Sequence, residues 1–281
     1  MGLRRGGEDS MSELLKTIKE RKSVRTFDGQ PVRAADREKL ERYVQTITNP
    51  FGIPVRFVLL DAKEHGLSSP VLSGETLYAA GIVDRVPLAD AAFGYAFEKL
   101  VLYAWSLGIG TTWIGGTMKR ELFEQAAGLS QGEMMPCVTP LGYPAKKHSL
   151  RELMMRRGVG ADSRLPAEKI FFDGGWEIPL PAEKQAAIGD LAEMVRWAPS
   201  AVNKQPWRII VSDQGYHFYE KRDRGFSGEK TGDLQKIDVG IALCHFVMGL
   251  EEQGQKPEVI VSDPGLAVPD GAEYVATVRK P

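Results

Sequence analysis

The sequence predicts a protein of mixed helices and strands built as two interlocked half-units. Three observations predict it: a domain-sized pattern that occurs twice in the same order, helical periodicities alternating with short strand-like runs, and no low-complexity linker between the copies. Phe27-Asp28-Gly29 opens the first copy and Phe172-Asp173-Gly174 the second. Leu40, Val44 and Thr46 match Leu191, Val195 and Trp197 at one helical spacing. Pro54-Val55-Arg56-Phe57-Val58-Leu59-Leu60-Asp61 aligns without a gap on Pro206-Trp207-Arg208-Ile209-Ile210-Val211-Ser212-Asp213. An apolar helix then runs from Gly94 to Gly108 and, at the same length, from Gly240 to Gly254. A chain that repeats such a unit can fold as its own dimer, burying internally what a homodimer buries between subunits. Without a linker the halves pack together rather than hang tethered.

The elements follow in order. Ser12 to Arg21 reads as a helix, with Ser12 as its cap and Leu14, Leu15 and Ile18 on one face. Ala35 to Ile47 is a second, carrying Asp36 in its first turn and Leu40, Tyr43, Val44 and Ile47 inward. Val55 to Leu60 is a strand. Ala91 to Leu107 is apolar on nearly every side (Phe93, Phe97, Leu100, Val101, Trp105) and reads as the buried central helix. A shorter helix covers Arg120 to Ala127 and a buried strand Cys137 to Leu141. From Leu165 the chain is expected to be extended, with Lys169-Ile170-Phe171-Phe172 as the strand linking the halves. Pro181 to Trp197 and Ile237 to Gln253 are helices, and Arg208 to Val211, Tyr216 to Glu220, Glu258 to Val261 and Tyr274 to Val278 are strands.

Composition bounds the function. At 281 residues the chain is long for one compact core and short for two ordinary domains, which suits two halves sharing a core. A formal net charge of −1 excludes the basic footprint of a nucleic-acid binder. No apolar run approaches the length of a membrane span. Met1-Gly2-Leu3-Arg4-Arg5 fits neither a myristoylation nor a twin-arginine signal, and residues 1–10 are expected to be a disordered leader. Cys137 and Cys244 stand alone, which points to a reducing cytoplasm, and His65, His148, His217 and His245 lack metal-ligand spacing. His245, inside an apolar helix, reads as a core histidine with its hydrogen bonds satisfied.

Three stretches could carry chemistry. Arg21-Lys22-Ser23-Val24-Arg25 is either a solvated charge run or an anion clamp, in which Arg21, Ser23 and Arg25 project to one side of an extended segment. Ala198-Pro199-Ser200-Ala201-Val202-Asn203-Lys204-Gln205-Pro206-Trp207 is a proline-bracketed polar loop. It is either a well-made connection or a ligand loop, and the first copy has only Thr48-Asn49-Pro50-Phe51-Gly52 in its place. Gly108-Ile109-Gly110-Thr111-Thr112-Trp113-Ile114-Gly115-Gly116 follows a helix and puts Trp113 at the third glycine position, so it is no dinucleotide fingerprint. Gly115-Gly116 fits close backbone approach to a flat ligand.

On these residues, with Leu141-Gly142-Tyr143-Pro144 and Ser163-Arg164-Leu165-Pro166, the chain resembles the FMN-dependent nitroreductase family from about Met11 onwards. It is most similar to the branch with two half-units in one polypeptide. The resemblance implies an α+β fold with central mixed or antiparallel sheets flanked by helices, residues 11–164 and 165–281 forming an intramolecular pseudo-dimer. It implies FMN at the interface of the halves. Arg21, Lys22, Ser23, Arg25, Gly115, Gly116 and Arg164 of the first half, and Pro199, Ser200, Ala201 and Asn203 of the second, would bind it. Each half keeps what the other has lost, so one site is expected rather than two.

The resemblance further implies ping-pong hydride transfer from NADH or NADPH to an electron-poor small molecule, with no side chain dedicated to acid–base catalysis. Arg21 and Ser23 would face the phosphate and ribityl end, Arg25 and Lys22 the N1/C2-carbonyl edge, and a backbone N–H near Gly115 or Gly116 would face N5. Asp162 departs from the pattern, since the family often has a basic residue there; Lys146, Lys147 and Arg151 are the candidates to compensate. Dehalogenation, ene reduction, flavin fragmentation and a non-enzymatic flavin-binding remnant are the alternatives. No nucleic-acid or membrane partner is expected, and the chain is expected to act as a monomer.

Overall fold

The computed structural model describes residues 11–146, 158, 160 and 162–280. The leader, Lys147, His148 and Arg151 lie outside these residues. Helix α1 (Glu13–Glu20) starts where predicted: the Ser12 hydroxyl accepts from the Leu15 N–H at 3.1 Å, and Leu15 and Ile18 are buried. Helices α2 (Ala34–Val44), α3 (Ala89–Ser106), α4 (Arg120–Ala126), α5 (Ala182–Arg196) and α6 (Leu234–Glu252) also fall where the periodicity puts them, within a few residues. Gly189, at φ 41°, interrupts α5.

Two sheets flank the helices. In the first, β1 (Val55–Asp61) runs antiparallel to β2 (Leu77–Asp84), and β2 pairs with β3 (Glu133–Met134) and β4 (Val138–Leu141). In the second, the order is β10-β11-β7-β6-β5, from β5 (Phe171–Asp173), β6 (Trp207–Val211), β7 (Gly215–Lys221), β10 (Val259–Ile260) and β11 (Ala272–Arg279). A small hairpin, β8 (Ser227–Gly228) with β9 (Gly232–Asp233), precedes α6. In each large sheet a central strand, β2 or β7, lies antiparallel between an earlier strand and a later one. The repeat in the sequence is therefore a repeat of topology.

Two expectations need correction. Lys169 belongs to a 3-10 turn (Ala167–Lys169), and the strand is confined to Phe171–Asp173, parallel to β6. The two Phe-Asp-Gly segments share a left-handed glycine, Gly29 at φ 78° and Gly174 at φ 67°, but not a position. Phe27 bridges to Pro144 beyond β4, whereas Phe172 lies beside Ile210 of β6. Strand β2 went unread because Ala79, Ala80 and Gly81 have low strand propensity. Packing selects them, since a Cβ at Gly81 would strike the Phe93 and Phe97 rings.

Helices α3 and α6 lie against each other at the centre, buried on nearly all sides. Their contact is reciprocal. A Cβ at Gly94 would collide with the Ile237 carbonyl, and one at Gly240 with the Ala91 carbonyl. Gly94 and Gly240 are the aligned glycines, and Ala91 and Ile237 each stand three residues before them, so a pseudo-two-fold axis passes between the helices.

Candidate functional site

One end of this helix pair opens into a cavity of about 720 Å³. Its walls come from the exit of α1, residues 112–116, residues 162 and 164, the loop after α5, and the first turns of α6. The geometry brings together every residue the sequence singled out: Arg21, Lys22, Ser23, Arg25, Gly115, Gly116, Arg164, Pro199, Ser200, Ala201 and Asn203 all line it. Val24, between them, is buried in the core and the Val24 N–H donates to the Thr111 carbonyl at 2.8 Å, which fixes the path of the cationic segment.

The individual placements refine the expectations. Arg21 is not a surface cation: it is 8% exposed, and its Nε lies 4.0 Å from Glu98 Oε1. It is part of the core as well as of the cavity wall, so its removal will not leave stability untouched. The Arg164 guanidinium sits over the Trp197 ring, 4.6 Å from its centroid, joining the segment before β5 to the exit of α5. Asp162 is exposed on the same wall. Gly116 has no Cβ neighbour within 4 Å and no positive φ, so neither a clash nor backbone strain requires glycine there. Space for an incoming ligand is the reason that fits.

The loop after α5 is held by strain and by hydrogen bonds. Val202, Asn203 and Gln205 have φ of 43°, 58° and 51°, unfavourable for side chains with a Cβ. The Asn203 amide N–H groups donate to the Gly160 carbonyl at 2.7 Å and the Ser163 carbonyl at 3.1 Å. Gln205 accepts from the Leu165 N–H at 2.8 Å. Asn203 thus clasps Gly160 and Ser163 across the cavity rim, rather than pointing a free donor inward. Asn49, in the shorter loop of the first copy, spends its amide on Ile53 and Phe51 of its own turn.

Sequence reading missed the cavity's deeper wall. Asp238 on α6 is 4% exposed, and its two oxygens accept from the Ala201 N–H at 3.0 and 3.2 Å. Burial pushes its carboxyl well above the usual carboxylate range, partly offset by that N–H. Ile237, Ile241, Leu234 and Trp113 add apolar surface, and burial pushes the Cys137 thiol up to about 12, so it stays protonated. An acid within an apolar helix gave no periodic signal of its own. The site combines a cationic side, an apolar floor and a glycine pair: it suits a flat amphipathic ligand with an anionic end.

Over residues 13–250 the sequence matches the family described as "Putative TM nitroreductase", and the chain belongs to that family. It is accordingly an oxidoreductase. A Thermotoga maritima protein described as a putative nitroreductase is 19% identical and superposes over 99% of both chains with a TM-score of 0.60, which shows the same fold. An FMN-dependent nitroreductase from Clostridium difficile R20291 is 16% identical over 47% of this chain and 88% of its own, with a TM-score of 0.41. No protein of curated function matches. No helix among the described residues is long and apolar enough to cross a membrane.

Proposed function

We propose that the protein is an FMN-dependent NAD(P)H oxidoreductase with one FMN per chain, held between residues 11–164 and 165–281. The observation that carries this reading is the convergence of all eleven expected residues on one cavity, from segments about 180 positions apart in a chain of 281. Lys19, Arg21, Lys22, Arg25 and Arg164 supply the positive charge that a phosphate requires. Ser23, Pro199, Ser200, Ala201 and Asn203 complete the walls, and Gly115 and Gly116 leave room for a ring. Bound there, the flavin supplies two-electron redox chemistry between NADH or NADPH and an electron-poor small molecule, in ping-pong order.

The chain's own contribution is binding, orientation and charge. Within the cavity Ser200 Oγ accepts from the Gln205 N–H at 2.9 Å and is committed to its loop, and the Cys137 thiol stays protonated, so neither is an activated nucleophile. This supports redox chemistry over acyl transfer. The internal pairing of α3 with α6 supports action as a monomer, and two buried free thiols support a cytoplasmic setting. The test is an FMN titration followed by absorbance. One equivalent per chain is expected; two equivalent sites, or no uptake, overturns the proposal.

A further inference from the structure

Beneath the cavity lies a polar cluster that the proposed redox role leaves unused. Glu98 of α3 and His245 of α6 are both 0% exposed. His245 Nε2 lies 3.1 Å from Glu98 Oε1, and His245 Nδ1 lies 2.8 Å from the Met194 carbonyl of α5. The other Glu98 oxygen accepts from Trp113 Nε1 at 3.3 Å, while Arg21 approaches Oε1 at 4.0 Å. Arg21 and Trp113 line the cavity; Glu98 and His245 stand one layer behind them.

The protons of this cluster can be counted from its geometry. A carbonyl oxygen can only accept, so His245 Nδ1 carries hydrogen. The contact between Nε2 and the Glu98 carboxyl is then a hydrogen bond only if one further proton lies between them. Whether that proton rests on nitrogen or on oxygen, the pair as a whole is neutral. Without it, an imidazole lone pair would face a carboxylate in a site closed to water, a costly arrangement.

We propose that His245 is a positioning residue of this cavity: by sharing a proton with Glu98, it lets that carboxyl hold Arg21 and Trp113 without placing a net negative charge under the site. The ligand class this favours is an anion, and, resting on the flavin reading above, specifically the reduced flavin, which gains negative charge. The pseudo-two-fold counterparts of Glu98 and His245 are Cys244 and Lys99, so the pair exists at the cavity end alone.

The test compares His245→Asn, Glu98→Gln and the double variant, each loaded with FMN. With His245→Asn the carboxylate loses its balancing proton. Reduced FMN should then bind about tenfold more weakly relative to oxidised FMN, a midpoint potential about 30 mV lower. Glu98→Gln keeps the site free of negative charge and should leave the potential at or above that of the parent, and the double variant should return to the parent's value. Equal potentials in His245→Asn and the parent, or equal downward shifts in both single variants, overturn the proposal. A second measurement needs neither flavin nor a variant: nitrogen NMR of His245 in the FMN-free protein should show hydrogen on Nδ1 and a proton shared at Nε2. A hydrogen-free Nδ1, or an Nε2 that neither carries a proton nor accepts a hydrogen bond, overturns the proposal, whereas failure to take up FMN overturns the flavin reading alone.

Discussion

At one end of the central helix pair, Ile237, Asp238 and Ile241 border an open cavity, with Glu98 and His245 behind it. At the other end, the positions related by the pseudo-two-fold hold Ala91, Ala92, Tyr95, Cys244 and Lys99. There Tyr95 is buried, with the Lys99 ammonium 5.3 Å from its ring centroid, and Tyr43 stacks on Tyr103 at 3.8 Å. The same backbone scaffold thus supports a polar hollow at one end and aromatic packing at the other. What separates them is a handful of side chains on α3 and α6, together with the loops that reach over each end. Symmetry of the backbone places the potential sites; side-chain identity decides which is open.

The largest effect should come from the symmetric part. Gly94→Ala and Gly240→Ala each drive a methyl group into a facing carbonyl, and each should cost about 3 kcal/mol in urea unfolding. Equal costs fit the pseudo-two-fold; a neutral result in either would break it.

A smaller effect should come from two acids packed beside Asp233 and Lys236. Near the start of α6, burial pushes Asp90 up to about 6 and Glu220 up to about 7. Both fold more readily as neutral acids, so their contribution is present at low pH and is lost as pH rises through those values. Together they should remove on the order of 2–3 kcal/mol between pH 5 and pH 8. Burial lowers His217, which titrates with the opposite sign over part of that range. The measurement is therefore a difference: Asp90→Asn should flatten the pH slope of the melting temperature, and an unchanged slope would remove Asp90 from the account.

How much of this was legible in the sequence depends on the element. Ser12 acts locally, and its cap read directly, whereas Gly94 and Gly240 could be aligned in sequence but their close approach to the facing helix could not be read, since it is a tertiary contact. Strand β2 could not be read either, because the Phe93 and Phe97 rings, not strand propensity, choose its small residues. The cavity rim was readable from Arg21 to Arg25 and from Pro199 to Asn203, since motifs there are contiguous. Its deeper wall was not: Glu98, Asp238 and His245 are single polar residues in apolar helices, and only the folded contact reveals that they share one end. Asn203 shows the limit from the other side: its place on the rim was readable, but its hydrogen bonds to Gly160 and Ser163 were not.

Two smaller tests sharpen the contrast between the loops. Arg164 rests on Trp197, whose counterpart in the first copy is Thr46, an exposed side chain with no ring to offer. Arg164→Ala should weaken FMN binding by about 1.5–3 kcal/mol in a titration while leaving the melting temperature nearly unchanged. Unchanged affinity would make the stacked guanidinium a purely structural brace. Asn203→Ala should loosen the clasp on Gly160 and Ser163 and cost about 1 kcal/mol of FMN affinity. Asn49→Ala should cost a similar amount of stability, with no change in flavin affinity. An equal effect of both on flavin would erase the distinction between the two loops.

The short strand β5 carries a consequence for assembly. The chain leaves the cavity rim at Arg164 and within a few residues becomes the edge strand of the second sheet, hydrogen-bonded alongside β6. Docking of the two sheets is therefore a unimolecular event, governed by an effective concentration on the order of millimolar for a short connection rather than by the amount of protein present. A cavity shared between separate subunits falls apart on dilution. This one is insensitive to it, so the protein can be scarce in its host and still keep every copy of its site assembled.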